Sequence, residues 1–112
     1  MAYKVQRSPA VEQDIEIILD HLFRSYVSLG EPVQDAFDRA VRRVGVLRSD
    51  LDTLGSTPHQ GTAHDDIRAG LRHVTKKRAV FYFQVDEAAQ VVRVVAVFFS
   101  GQDHRRHVLK RL

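Results

Sequence analysis

Two apolar runs separated by five mostly polar residues dominate the last third of the chain. Arg78-Ala79-Val80-Phe81-Tyr82-Phe83-Gln84-Val85 and Val91-Val92-Arg93-Val94-Val95-Ala96-Val97-Phe98-Phe99 are rich in β-branched and aromatic side chains. Such residues suit a pleated, largely buried surface. Asp86-Glu87-Ala88-Ala89-Gln90 between them has the length of a hairpin loop, so the pattern predicts two adjacent strands. Only Arg93 interrupts the second run, which reads as a central strand covered on at least one face.

The first half has a different period. Tyr3-Lys4-Val5-Gln6-Arg7 alternates and predicts a short strand, and Ser8-Pro9 reads as an N-cap followed by the first helical position. Val11, Ile15, Ile18 and Leu22, joined by Leu19 and Phe23, recur at helical spacing, and Gly30 is the expected stop. Glu12, Asp14 and Glu16 fall where carboxylates favour the positive end of the helix dipole. A second helix is predicted from Pro32, with Phe37, Val41, Val44, Leu47, Leu51 and Leu54 as its apolar stripe and Asp35, Asp38, Arg39, Arg42 and Arg43 on the wet side. Run to Leu54 it would span about 35 Å at ~1.5 Å per residue, so a bend near Gly45 or a stop near Ser49-Asp50 is expected. Gly55 to Asp66 has no apolar period and reads as loop. A strand around Leu71-Arg72-His73-Val74 and a turn at Lys76-Lys77 precede the long runs, and Asp103–Leu112 suggests a last short helix with Val108, Leu109 and Leu112 on one side. The order β-α-α-β-β-β predicts an α+β fold: a short N-terminal strand, an antiparallel helical hairpin, and a mainly antiparallel three-stranded meander.

Composition narrows the class. The 112 residues suggest one domain, and 44% hydrophobic residues are enough to build its core. There is no cysteine, which excludes disulfides and thiolate metal sites and fits a reducing compartment. No run approaches the roughly 18 apolar residues of a membrane span, so a soluble cytoplasmic protein is expected. Charge is unevenly spread. Residues 1–66 carry 7 Lys/Arg against 11 Asp/Glu, whereas residues 67–112 carry 10 against 3. A basic half of that kind suits an acidic or polyanionic partner, and equally a solvated surface.

Candidate chemistry is sparse. His59, His64, Asp65 and Asp66 crowd one loop, but their spacing matches no closed zinc site, and no metal or cofactor is expected. There is no glycine-rich phosphate loop and no nucleophile elbow. The basic clusters are more informative. Arg68, Arg72, His73, Lys76, Lys77 and Arg78 lie within eleven residues, and His104, Arg105, Arg106, His107, Lys110 and Arg111 within the last nine. If the two groups share a surface, Arg68, Arg72, Lys76, Lys77, Arg78, Arg105 and Arg106 could bind a target or a nucleic acid through its phosphates. With arginine and histidine at hand, such a surface could also perform metal-free phosphodiester chemistry, arginine stabilising charge and histidine moving protons.

Pro58-His59-Gln60-Gly61, Ile67-Arg68-Ala69-Gly70-Leu71-Arg72-His73, Val80–Val85 and Val94–Asp103, together with the helical hairpin and its Asp14-Ile15-Glu16, cover nearly the whole chain. In order and spacing they resemble the ParE/RelE toxin superfamily of type II toxin–antitoxin systems, closer to the ParE-like branch. The resemblance implies a small α+β toxin neutralised by a cognate antitoxin in a hetero-oligomer. ParE-like members inhibit DNA gyrase by binding it. RelE-like members cleave mRNA on the ribosome with lysines, arginines and a late Tyr or His, for which Arg72, Arg78 and His104 or His107 stand in matching positions. Residues 5 to 75 contain no lysine, and an arginine is a poor proton acceptor because its pKa stays above ~12. The resemblance therefore implies a gyrase-binding toxin first, a ribosome-dependent endoribonuclease second, and a non-toxic partner-binding module third.

Overall fold

The structure, a computed structural model, describes residues 2–99 and 104–112, and of residues 104–107 the backbone alone. Its elements are β1 (Lys4–Arg7), α1 (Pro9–Ser28), α2 (Val33–Asp52), a 3₁₀ turn (Thr53–Ser56), β2 (Thr62–Ala63), β3 (Leu71–Lys76), β4 (Ala79–Asp86), β5 (Val91–Phe99) and α3 (His104–Arg111). The α+β order expected from the pattern is present, with one addition. Thr62-Ala63, inside the stretch that reads as loop, pairs antiparallel with Arg72-His73.

Local chemistry accounts for the helix ends. Ser8 Oγ accepts the Val11 N–H at 3.3 Å and Pro9 occupies the first turn. At the far end Glu31 N–H donates to Tyr26 O at 3.1 Å and Gly30 N–H to Val27 O at 3.0 Å. With Gly30 at φ +98°, this is a Schellman termination, which needs a left-handed residue. α2 runs through Gly45 without a stop and tightens into the 3₁₀ turn only after Asp52.

The sheet order is β1-β5-β4-β3-β2. β3, β4 and β5 form the antiparallel meander, while β1 lies parallel to β5, Lys4 opposite Val91 and Arg7 opposite Val94. Both faces are covered. Phe81, Phe83, Val85, Val92, Val94 and Val97 point into the core beneath α1 and α2, and Val80, Tyr82, Ala96 and Phe98 meet Val108 of α3 on the other side. Burial on both faces explains why the two runs read as nearly continuous apolar sequence. A bulge at Tyr82/Phe83 leaves Val95 as the extra residue and resets the alternation along β5.

Two expectations about packing need correction. α2 buries Ala36, Ala40, Val44, Leu47 and Leu51, whereas Phe37 and Val41 are 46% and 45% exposed. The two alanines are small enough to let α1 and α2 approach closely, which rotates the larger residues outward. On α3, Val108 is buried and Leu112 packs against the same cluster as expected, but Leu109 is half exposed, and Arg111 reaches across to Asp14. No helix among the described residues is long and apolar enough to cross a membrane.

Candidate functional site

The β3–β4 connection is a two-residue turn, Lys77-Arg78, with φ +50° and +72°. Paired positive φ values make it a type I′ turn, the geometry that matches strand twist but favours Asn-Gly. Two long cations occupy it instead, and α2 reaches the turn at Lys77. The Lys77 ammonium lies 3.6 Å from Asp50, and the Arg43 guanidinium donates to the Lys77 carbonyl. Arg43 and Arg78 both stand over the Phe99 ring, at 5.4 and 5.6 Å from its centroid. One turn of α2 away, Arg39 stacks on Tyr26 at 4.1 Å and pairs with Glu31 at 2.8 Å. Lys76 reaches Thr53 Oγ1 at 3.3 Å.

Of these, Tyr26, Arg39, Arg43, Arg78 and Phe99 line a cleft of about 760 Å³ between α1, α2 and the end of the sheet. Leu22, Val46 and Phe99 supply its apolar lining, Arg39, Arg42, Arg43 and Arg78 its charge, and His21, Ser25 and Tyr26 its remaining polar groups. Arg42 has no hydrogen bond or ion pair to another described residue. Three of the four arginines belong to the stretch that reads as the wet side of α2. A signal was there: Arg39, Arg42 and Arg43 sit at i, i+3 and i+4, the spacing that places side chains together on one helix flank.

The cluster between Arg68 and Arg78 is divided by the extended strand. From Leu71 to Lys76, β3 covers about 17 Å at ~3.3 Å per residue, so exposed Arg68 lies at one end and Lys76, Lys77 and Arg78 at the other. Arg72 is on the helix-bearing face, opposite Phe83. Its Nε donates to Gln60 O at 3.0 Å and a terminal nitrogen to Gly61 O at 3.2 Å. It thereby staples the segment before β2 to the sheet. Gly61 fits there because it takes φ +79°, and a Cβ would lie 2.1 Å from His73 O. Arg72 and Arg78 are not brought together. The side chains of His104, Arg105, Arg106 and His107 lie outside the described residues; their backbone opens α3.

A second polar constellation lies on the α3-facing side. His64 Nε2 and His73 Nδ1 are 2.5 Å apart, so one imidazole donates the N–H that the other accepts. The two rings stack at 4.8 Å, and His73 stacks on Tyr82 at 5.3 Å. Asp65 caps the Gly70 N–H at 3.0 Å. His59 instead joins Glu87, which also accepts the Tyr3 hydroxyl at 2.7 Å. Those two donors, His59 first, hold the Glu87 carboxyl below its usual range, and the same bond raises the Tyr3 phenol. Asp86 is lowered chiefly by the Ala89 N–H and then by Arg93.

Asp14, which reads as a dipole carboxylate, is a buried clasp. Oδ2 accepts the Val97 N–H at 3.0 Å, and Arg111 grips both oxygens at 2.5 and 2.7 Å. β1 ends opposite Val94, so the β5 edge beyond it is open, and the carboxylate supplies the missing partner. α3 is thus tied around that edge to α1. The same bonds push the Arg111 guanidinium above its ordinary value.

No protein-family model matches the sequence, and no curated protein matches it. Solved structures do. The RelBE2 toxin–antitoxin complex of Mycobacterium tuberculosis superposes at TM-score 0.62 with 11% identity, over 91% of this chain and 95% of that one. The chromosomal ParDE toxin–antitoxin system of P. aeruginosa gives 0.64 with 17% identity, over 88% and 96%. A double arginine-to-alanine mutant of E. coli toxin RelE in the free state gives 0.62 with 12% identity, over 100% and 99%. This chain is built on the fold shared by the RelE and ParE toxins.

Proposed function

We propose that this chain is the toxin of a type II toxin–antitoxin pair, acting in the cytoplasm by binding DNA gyrase and held inactive by a cognate antitoxin. One observation carries the preference for binding over catalysis. Arg72 is committed to two backbone carbonyls, while Arg78 lies beyond the far end of β3 in an arginine-lined cleft. The pair that would have to act on one phosphodiester is therefore split, and electrostatic stabilisation of a transition state needs donors converging on one atom. An arginine rim around an apolar floor is suited to grip an acidic protein surface. Arg68, Lys76, Lys77, Arg78, Arg105 and Arg106 remain the residues proposed for target or antitoxin contact, with Arg39, Arg42 and Arg43 added.

Induced expression in bacteria tests the proposal. Filamentation with a DNA-damage response is expected, and co-expression with the neighbouring antitoxin should abolish it. Rapid translation arrest with cleaved mRNA would contradict it.

A second reading, the ribosome-dependent endoribonuclease, draws on the His64–His73 hydrogen bond. Two imidazoles joined by an N–H···N hydrogen bond place a donor and an acceptor in line for a proton relay. It predicts that His73→Ala abolishes mRNA cleavage while Arg42→Ala spares it.

A further inference from the structure

The two flanks of α2 carry opposite chemistry. Arg39, Arg42 and Arg43 line the cleft, whereas Val33, Phe37 and Val41 take no part in it. These three recur at i, i+4 and i+8 and are 64%, 46% and 45% exposed, an apolar strip that the core does not use. α1 widens the strip. The Phe23 ring meets Phe37 edge to face, 6.0 Å between centroids, and Leu19, one turn earlier, is only partly buried. Beyond Val41 the row reaches Gly45, where a Cβ would meet nothing within 4 Å. Apolar surface thus runs along the outer seam of the helical hairpin, with no side chain closing its far end.

Carboxylates border this seam. Glu16 lies one turn before Leu19, Asp20 one turn before Phe23, and Asp38 one turn before Val41, and all three are exposed. Asp20 is offset by Arg24. Asp38 accepts a bond from the Gln34 amide, and among the described residues neither Asp38 nor Glu16 has an ion pair. Arg42, four residues after Asp38, points to the cleft instead.

That combination selects its occupant. Apolar side chains at helical spacing accept the apolar face of another helix, read as anchors at i, i+3, i+4 and i+7. The acidic border favours cations along the flanks of that helix and opposes an acidic segment or an anionic lipid surface. A second copy docked strip to strip would bring like charges together.

We propose that the α1–α2 seam is a docking site for a basic amphipathic helix of a partner protein. Its apolar anchors lie on Phe23, Phe37 and Val41, and its Lys or Arg side chains beside Glu16 and Asp38. The surface is separate from the arginine-lined cleft, so the two can be engaged together.

Fluorescence anisotropy tests this with a labelled peptide of about 18 residues, long enough to form a helix, titrated with the purified full chain. The peptide carries Leu at i, i+3, i+4 and i+7 and Lys elsewhere; a second has Glu in place of Lys, and a third is the first in scrambled order. The Lys peptide is expected to bind with a Kd of about 1–10 µM, weakening several-fold as salt screens the carboxylates. Phe37→Ala should weaken it about tenfold through the lost central contact. The double variant Glu16→Lys/Asp38→Lys alters two exposed positions, so it should unfold at an unchanged temperature, bind about tenfold more weakly and lose the salt dependence. It decides alone if Phe37→Ala loses its fold. Ile17→Ala, exposed on α1 but two residues from Leu19 and so on another side, should leave affinity unchanged.

Absence of binding, equal or tighter binding of the Glu or scrambled peptide, or unchanged affinity in the charge-reversed variant would each overturn the proposal. So would a dimer in sedimentation that Phe37→Ala abolishes, which would assign the strip to a second copy. The titration involves neither gyrase nor an antitoxin, so its failure and that of the toxin reading are distinguishable.

Discussion

Replacing Asp14 by Ala removes a group that ties both helical layers to the β5 edge. Its side chain is 8% exposed and Arg111 is 29% exposed. Three bonds disappear: one from the Val97 N–H and two from Arg111. An unpaired buried N–H costs about 1–3 kcal/mol. Orphaning one partner of a fully buried ion pair costs about 3–5 kcal/mol, which must be discounted because Arg111 reaches solvent and keeps its bond to Val95 O. A total near 3 kcal/mol follows, and for a chain of this length that lowers Tm by about 12 °C. Asp14→Asn retains an acceptor for Val97 and should lose about half as much. Arg111→Lys should resemble Asn, because an ammonium cannot make the forked contact. Urea denaturation followed by circular dichroism gives each value, and the double variant Asp14→Ala/Arg111→Ala gives the coupling. A coupling of at least about 1.5 kcal/mol is expected for contacting charges. A loss below about 1 kcal/mol for Asp14→Ala, or additive single and double variants, would refute the clasp.

Other outcomes are equally specific. Arg72→Ala should destabilise the chain by about 1–2 kcal/mol by freeing the Gln60 and Gly61 carbonyls, and should increase amide exchange in Gln60–Ala63; toxicity lost without any stability change would move Arg72 into the functional surface. Replacing Lys77-Arg78 by Asn-Gly relieves two left-handed residues and should raise stability by about 1 kcal/mol while weakening toxicity, whereas a destabilised variant would mean that the contacts of Lys77 and Arg78 outweigh the backbone strain. Asp86 and Glu87 both have folded pKa values below the ordinary carboxylate range, so their contribution is present above that range and is lost as pH falls through the lowered values. Glu87→Gln should accordingly flatten the stability profile on the acid side of pH 4, as read by urea midpoints, and an unchanged slope would remove the Tyr3–Glu87–His59 cluster from the account.

How much of this was legible in the sequence depends on the kind of interaction. α1 is written in Ser8, Pro9 and Gly30 because caps and terminators act through residues close in sequence. The two long strands are legible because burial on both faces leaves few polar interruptions. β2 is not, since two residues carry no period. On α2 the apolar stripe was legible to within one turn, but which flank meets α1 is decided by the small Ala36 and Ala40. The basic cluster shows the sharpest limit. A given sequence separation covers about 3.3 Å per residue in a strand and about 1.5 Å in a helix. Arg68 and Arg78, ten residues apart in sequence, are therefore carried to opposite ends of β3, while Arg39, Arg42 and Arg43 are gathered. Arg72 bonds to backbone carbonyls, which leave no trace in residue identity. Asp14 left one that was overlooked: it shares the helical face of Val11, Ile15 and Ile18, where a carboxylate needs a buried partner.

Toxicity through binding is tested most directly on purified components. The chain added to DNA gyrase should inhibit supercoiling of relaxed plasmid at stoichiometric concentrations, the cognate antitoxin should reverse the effect, and mRNA on programmed ribosomes should stay intact. Cleaved mRNA with undiminished supercoiling would contradict the account.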